Sequence, residues 1–321
     1  MIRFLALFCV SLLLLSFFRG PLPPPPAPPK TCIRQSLNSV TGCSGRNLIK
    51  LVHLVFPKAK VFMDIGMNKG FFSAACLELW SPQLNISSAN LTHQFKVLKL
   101  RGELQRCGYC RDCEDTNTPV VYRGNTHDIR VYSFDGNERF IDGVSLVRDT
   151  IMTKPGRWKI ELAAFSDHAG KTVTFSINQD ELGKITTETK PNVKTAQVQT
   201  MTIDKFMERE KLARIDLLKI DTEGHDPFVI RGARETLRKH QITVFTFEYH
   251  YLWPKDEFLE RTLTKDIGDN YVCYMAAERD KMIKLTDGCW YTQYECRKFS
   301  NIWCVSKTKG KQLVTIFESM V

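Results

Sequence analysis

The apolar positions along this chain fall into short blocks of two kinds. The first kind is a brief run that stops at a glycine or an acid, the mark of a buried strand. Such runs are KVFMDIG at 60–66, RVYSFDG at 130–136, WKIELAAFSD at 158–167 and DLLKI at 216–220. ITVFTFEYH at 242–250, YVCYMAA at 271–277 and NIWCVSK at 301–307 continue the series. The second kind has helical spacing. Residues 45–57 carry Leu48, Leu51, Val52 and Val55 on one face, and Pro57 closes the helix. NKGFFSAACLELW, PFVIRGARETLRKH and DEFLERTLTKDIG read as further helices. KTVTFSI at 171–177 and AQVQTMTI at 196–203 alternate polar and apolar residues, which predicts a β-hairpin on a sheet edge with a polar connection between its strands. Residues 81–128 break the pattern and read as a surface insertion.

Buried strands alternating with helices predict an α/β, doubly wound, mostly parallel sheet. The closing strand pair implies one antiparallel strand. In such a sheet ligands sit beyond the carboxyl ends of the strands, where strand order reverses. The chemistry of this chain is concentrated at those ends. The first strand runs into Asp64-Ile-Gly66-Met-Asn68-Lys-Gly70, whose glycines permit tight turning and close ligand approach. The loop lacks the G-x-G-x-x-G spacing of a dinucleotide site, so an oxidoreductase is the weaker reading. An acid at the strand end would repel a pyrophosphate and favour a cationic amino group, which points to S-adenosylmethionine. Asp135 ends the second strand, where a carboxylate can accept bonds from ribose hydroxyls. The fourth strand ends in Asp221, Glu223 and His225, the fifth in Glu248 and His250.

With these stretches in view, the chain resembles the FkbM-type methyltransferases. VFMDIGMNKGFFS, VYSFDGNERF, ELAAFSDHAGKTVTF, TIDKF, LLKIDTEGHDPFVIRGA and the late Phe-Glu at 247–248 occur in that family's order, over roughly residues 45–250. The resemblance implies a seven-stranded, Rossmann-like methyltransferase sheet and a reaction that methylates hydroxyl oxygens of sugars or natural products. It implies that Asp64, Gly66, Asn68 and Gly70 hold the methionine portion of S-adenosylmethionine, Asp135 the ribose, and Ala164 and Phe165 the adenine. Asp221 and Glu223 match the family's KIDxEG signature. The family more often has Glu at the position of Asp135 and Ala at that of Met67, and the insertion here is long and cysteine-rich for it. Transfer to an alcohol benefits from a general base. Glu223 and His250 are the candidate base or acceptor ligands, Asp221 the candidate orienting acid, and no metal is expected. Lys219, inside the fourth strand, is expected to reach the sheet edge or pair with an acid.

Composition then places the chain. Its 321 residues allow one α/β domain with additions, here 31–321. The formal net charge of +10 attracts acidic partners or simply solvates the surface. No nucleic-acid motif accompanies it, so no nucleic-acid partner is expected. Residues 4–18, FLALFCVSLLLLSFF, are uncharged between Arg3 and Arg19. This run is shorter than the roughly 20 residues that span a bilayer. It is followed by the proline rod PLPPPPAPP rather than a small-residue cleavage site. Residues 1–20 therefore read as a signal anchor in preference to a cleaved signal peptide, and 21–30 as a stalk, holding the domain in the ER or Golgi lumen. Cleavage would make it secreted. Sequons at Asn85 and Asn90 agree with a lumenal surface. Of 11 cysteines, Cys9 lies in the apolar run and ten remain, which suits disulfides in that compartment. CGYCRDC at 107–113 reads as disulfide chemistry rather than zinc for want of a nearby fourth ligand. Cys76, in a buried helix, is expected to be a free thiol. The function that follows is lumenal O-methylation of a glycan or small hydroxylated molecule. The competing reading is a noncatalytic, membrane-tethered binding protein on the same fold.

Overall fold

The chain's architecture comes from a computed structural model, which describes residues 32, 36–43, 45–100, 104, 128–177, 183–186 and 193–321. The apolar N-terminal run, the proline rod and CGYCRDC lie outside the described residues. Among the described residues no helix is long and apolar enough to cross a membrane.

The chain begins with α1 (Gly45–Val55), β1 (Val61–Ile65), α2 (Phe71–Trp80) and α3 (Ser88–Val97). After the undescribed stretch come β2 (Arg130–Asp135), α4 (Glu138–Ile151) and β3 (Trp158–Leu162). Four strands precede α5 (Ile203–Arg209): β4 (Ala164–Phe165), β5 (Thr172–Ile177), β6 (Lys184–Ile185) and β7 (Lys194–Met201). The chain continues through β8 (Ile215–Ile220), α6 (Asp226–Arg231), α7 (Arg234–Arg238), β9 (Ile242–Tyr249) and α8 (Leu259–Arg261). It closes with β10 (Tyr271–Ala276), β11 (Met282–Lys284), β12 (Ser300–Ser306) and α9 (Lys311–Ser319).

The main sheet has eight strands in the order β11-β10-β12-β9-β8-β1-β2-β3. β3, β2, β1, β8 and β9 pair in parallel, and strand order reverses between β1 and β8. Alternate side chains feed opposite layers. Met63, Ile65, Phe134 and Phe245 pack on one side with residues of α5, α6 and α7. Phe62, Val131, Leu217 and Val244 pack on the other with α1, α2, α3, α4 and α9.

The structure corrects the expected fold in several places. The sheet has eight strands rather than seven, because the three-residue β11 is too short to show a period. Two strands run against the rest, not one. β12 inserts antiparallel between β9 and β10, and β11 pairs antiparallel with the outer edge of β10. The 171–203 hairpin does form, with β5 and β7 antiparallel, but it joins β4 and β6 in a separate four-stranded sheet. Chain leaving β3 at Ala163 passes directly into this second sheet. Helix α4 was not apparent from the sequence, although Phe140, Val144 and Val147 form its buried stripe and Asn137 caps it through Arg139 N–H. The insertion is also shorter than 81–128. Residues 88–97 form α3, opened by a Ser87–Asn90 capping box, and Leu91 and Phe95 are buried in the core. Of the two sequons, Asn85 is exposed, while the Asn90 amide accepts from Ser87 N–H and donates to the Asn85 carbonyl.

The expected helix at 227–240 is two helices. Gly232 separates them, and an added Cβ there would stand 2.2 Å from the Ser166 carbonyl oxygen. That close approach ties α6 to the β4 end. Cys32–Cys289 and Cys273–Cys304 are disulfides, the second joining residues directly opposed on β10 and β12. Cys76 is a buried free thiol and Cys296 an exposed one.

Gly232→Ala is expected to lower stability by about 1–3 kcal/mol through overpacking. Urea unfolding measures this.

Candidate functional site

The reversal of strand order between β1 and β8 opens a crevice at their carboxyl ends, and the D-x-G-x-N-x-G loop is folded to approach it. Gly66 has φ 76°, and a Cβ there would lie 1.6 Å from the Asp221 carbonyl oxygen. Only glycine lets β1 and β8 close at this point. The N–H groups of Gly66 and Met67 both donate to the Phe134 carbonyl at 2.9 Å. Asn68 takes φ 49°, and Gly70, with φ 75°, starts α2. Gly70 is packed beneath Trp158 and Val144 rather than facing the crevice.

Asp135 holds the loop to β2. Its Oδ2 accepts Asn68 N–H at 2.9 Å and its Oδ1 accepts Asn137 N–H at 2.8 Å. A carboxylate oxygen can accept more than one bond, so acceptor capacity remains. Burial raises the Asp135 pKa to about 6, against the pull of those two backbone donors.

Asp64 is fully buried and does not line the crevice. Its Oδ2 accepts the Ser73 hydroxyl at 2.6 Å, and its Oδ1 faces the Lys219 ammonium at 3.7 Å. The cation beside Asp64 is thus supplied by the chain itself. Lys219 also reaches Asp221 Oδ2 at 2.8 Å and the Gly66 carbonyl at 3.2 Å. Of the two expectations for Lys219, pairing with an acid is the one observed. Burial would drive its proton off, but Asp221 and Asp64 hold its pKa above the ordinary lysine value.

Beyond Asp221 the charges crowd. Glu223 sits at φ 53° in the turn before α6 and lines the crevice. Burial, then Asp221 and Asp226, raise its pKa to about 8. Asp226 is fully buried, accepting the Thr222 hydroxyl at 3.2 Å and Glu248 N–H at 3.3 Å. Burial and Asp221 raise its pKa to about 7. Burial and the same neighbours push Glu248 well up. His225 stacks on Phe228 and bonds the Ser166 hydroxyl at 2.9 Å, and burial lowers its pKa to about 4.

The crevice is open to solvent. Gly66, Asn68, Asp135, Ala164 and Phe165 line it, with Asp221 and Glu223 at its other wall. Asp64, Gly70 and His250 do not. Sequence reasoning missed Phe140, Phe175 and Ile185, which make its apolar lining. Their signal was weak, because α4 and the second sheet carry them from distant parts of the chain. Among the described lining residues there are three carboxylates and no Lys or Arg. Among the described residues no group of three or more His, Cys, Asp or Glu could hold a metal ion.

A family model, the methyltransferase FkbM domain, matches residues 64–271. The chain belongs to the FkbM methyltransferase family. Its fold is mixed α/β, and the crevice lies within the matched region. Among solved structures, the methyltransferase FkbM from Methylobacillus flagellatus KT is similar at 11% identity with a TM-score of 0.40, covering 77% of this chain and 43% of that one. The bifunctional kinase-methyltransferase WbdD is similar at 10% identity with a TM-score of 0.34, covering 82% of this chain and 38% of that one. This chain spans less than half the length of either, and at those scores neither adds to the assignment. No curated protein matches.

Two outcomes follow for the ligand-free protein. The acids with raised pKa bind more protons folded than unfolded, so their stabilising contribution is present at low pH and is lost as pH rises through about 6 to 8. His225 acts oppositely, but only below its ordinary value of 6.5. Melting temperature should therefore fall between about pH 6.5 and 8.5, with a shallower slope in Glu223→Gln. Lys219→Met leaves Asp64 and Asp221 uncompensated and is expected to cost about 3–5 kcal/mol in urea unfolding at neutral pH.

Proposed function

We propose that the protein is an S-adenosylmethionine-dependent O-methyltransferase acting on a hydroxyl of a glycan or small molecule in the secretory lumen. The observation that carries the cofactor is the charge of the crevice. Asp135, Asp221 and Glu223 line it, and no described Lys or Arg does. A pyrophosphate would be repelled there, whereas a sulfonium with an α-amino group is attracted. The donor set therefore fits S-adenosylmethionine and disfavours a dinucleotide.

In this reading Gly66 and Asn68 hold the methionine portion, with Gly70 shaping the loop from below. Asp135 takes the ribose hydroxyls, and Ala164 and Phe165 bound the adenine. Asp64 acts from behind, fixing Lys219, which in turn fixes Asp221. The cofactor brings the reactive methyl group, and the protein orients it and stabilises charge. Glu223 stands at the crevice wall, where its carboxyl faces the positive charge of the cofactor. The disulfides Cys32–Cys289 and Cys273–Cys304 suit an oxidising, secretory-type compartment. The N-terminal apolar run is proposed to tether the domain to the membrane there.

Calorimetry with S-adenosylhomocysteine tests the cofactor assignment. The expected result is saturable one-to-one binding, none with NAD, and about ten- to a hundredfold weaker binding in Asp135→Ala. Failure to bind, or equal binding of NAD, contradicts the assignment and leaves the noncatalytic reading in its place.

A further inference from the structure

Past the crevice wall, toward β9, the sequence Thr246-Phe-Glu248-Tyr-His250 puts three polar side chains on one side of the strand by its two-residue period. This is the side that carries Lys219, which pairs with Thr246 in register. His250 is 3% exposed, and its Nδ1 accepts Leu252 N–H at 3.3 Å. A nitrogen that accepts has its lone pair in the plane, so the ring proton sits on Nε2. That Nε2–H has no hydrogen-bond partner among the described residues, and it stands 3.6 Å from Glu248 Oε2. Burial makes the ring a weak base. His250 is therefore a donor here and not the proton acceptor.

An unmet buried donor and a partly buried carboxylate oxygen at this separation, too far apart to bond each other well, form one small polar site that the chain itself does not satisfy. Two adjacent hydroxyls on a carbon ring match it: one donates to Glu248 and its neighbour accepts from His250 Nε2–H. Next to them stands Tyr251, 72% exposed, with its ring edge-on to His250 at 5.8 Å between centroids. An exposed aromatic beside a donor–acceptor pair offers a flat apolar platform for the carbon face of a sugar.

We propose that Glu248, His250 and Tyr251 form the acceptor subsite, and that it takes a vicinal diol of a carbohydrate with the ring against Tyr251. The inference rests on the methyltransferase reading given above. In this arrangement the oxygen that donates to Glu248 is the one methylated. Its bond to the methyl carbon forms as the carbon–sulfur bond breaks, the electron pair staying on sulfur and the hydroxyl proton passing to Glu248 Oε2. His250 keeps its proton and is a positioning residue.

The test uses the purified chain with ¹⁵N-labelled histidine, saturated with S-adenosylhomocysteine, and methyl α-D-mannopyranoside as the probe, with cyclohexanol as control. The His250 resonance is assigned by its loss in His250→Gln. The glycoside is expected to shift the Nε2–H signal saturably while cyclohexanol does not. Glu248→Gln and Tyr251→Ala should each weaken the glycoside about tenfold or more, with S-adenosylhomocysteine binding retained. A proton found on Nδ1, no shift in protein that binds S-adenosylhomocysteine, an equal shift with cyclohexanol, or variants that bind the glycoside as the parent does would each overturn the subsite alone. Failure of S-adenosylhomocysteine to bind would remove the methyltransferase reading and the subsite with it.

Discussion

One buried ammonium organises the carboxyl end of this sheet. Lys219 leaves β8 and meets Asp221, Asp64 and the Gly66 carbonyl at once. These three groups belong to the ends of β1 and β8, the strands between which the sheet order turns. A charge so placed is expensive to bury and is retained only with partners of opposite sign. The glycine loop, the end of β8 and the first turn of α2 (through Ser73 on Asp64) are thereby locked to one another. The crevice has a fixed floor because its strands cannot shift independently of this lysine.

The same economy of cations sets the character of the open side. Lys219 is committed to Asp64 and Asp221. The remaining acids then crowd one another: Glu223, Asp226 and Glu248 all hold their protons more tightly than ordinary carboxyls, through burial first and their neighbours second. Such a cluster is destabilising in the ligand-free protein and is relieved by an entering positive charge. Strain of this kind at a site, maintained by packing elsewhere, is what a binding pocket for a cation requires. The large apolar layers on both faces of the sheet supply that packing.

Much of this was legible in the sequence, and for a physical reason. The parallel strands β1, β2, β8 and β9 announced themselves because both of their faces are buried, and Asp64, Gly66, Asp135 and Asp221 are found at the ends of the first three as the pattern implied. What was not legible depended on distance or brevity. β11 has three residues and no period. α4 was hidden between two stronger strand signals despite a regular buried stripe. The aromatic lining from Phe140 and Phe175 comes from elements far apart in the chain. Most instructive is Asp64. A strand-end acid beside a glycine loop reads as a ligand contact, yet the carboxylate turns inward to Ser73 and to a lysine 155 residues later. Sequence shows which charges are present, and only packing shows which of them neutralise each other. His250 makes the same point at finer scale: its role as donor follows from a backbone bond to Leu252, which no pattern of residue types reveals.

The central claim is that uncompensated carboxylates in the crevice select a cationic ligand. S-adenosylmethionine and S-adenosylhomocysteine differ by the sulfonium charge and its methyl group, so the ratio of their affinities, measured by calorimetry across pH, reads that claim directly. As Glu223 ionises near its raised pKa of about 8, the preference for the sulfonium should grow between about pH 6 and 9. A ratio that stays constant over that range, or that falls, would contradict it.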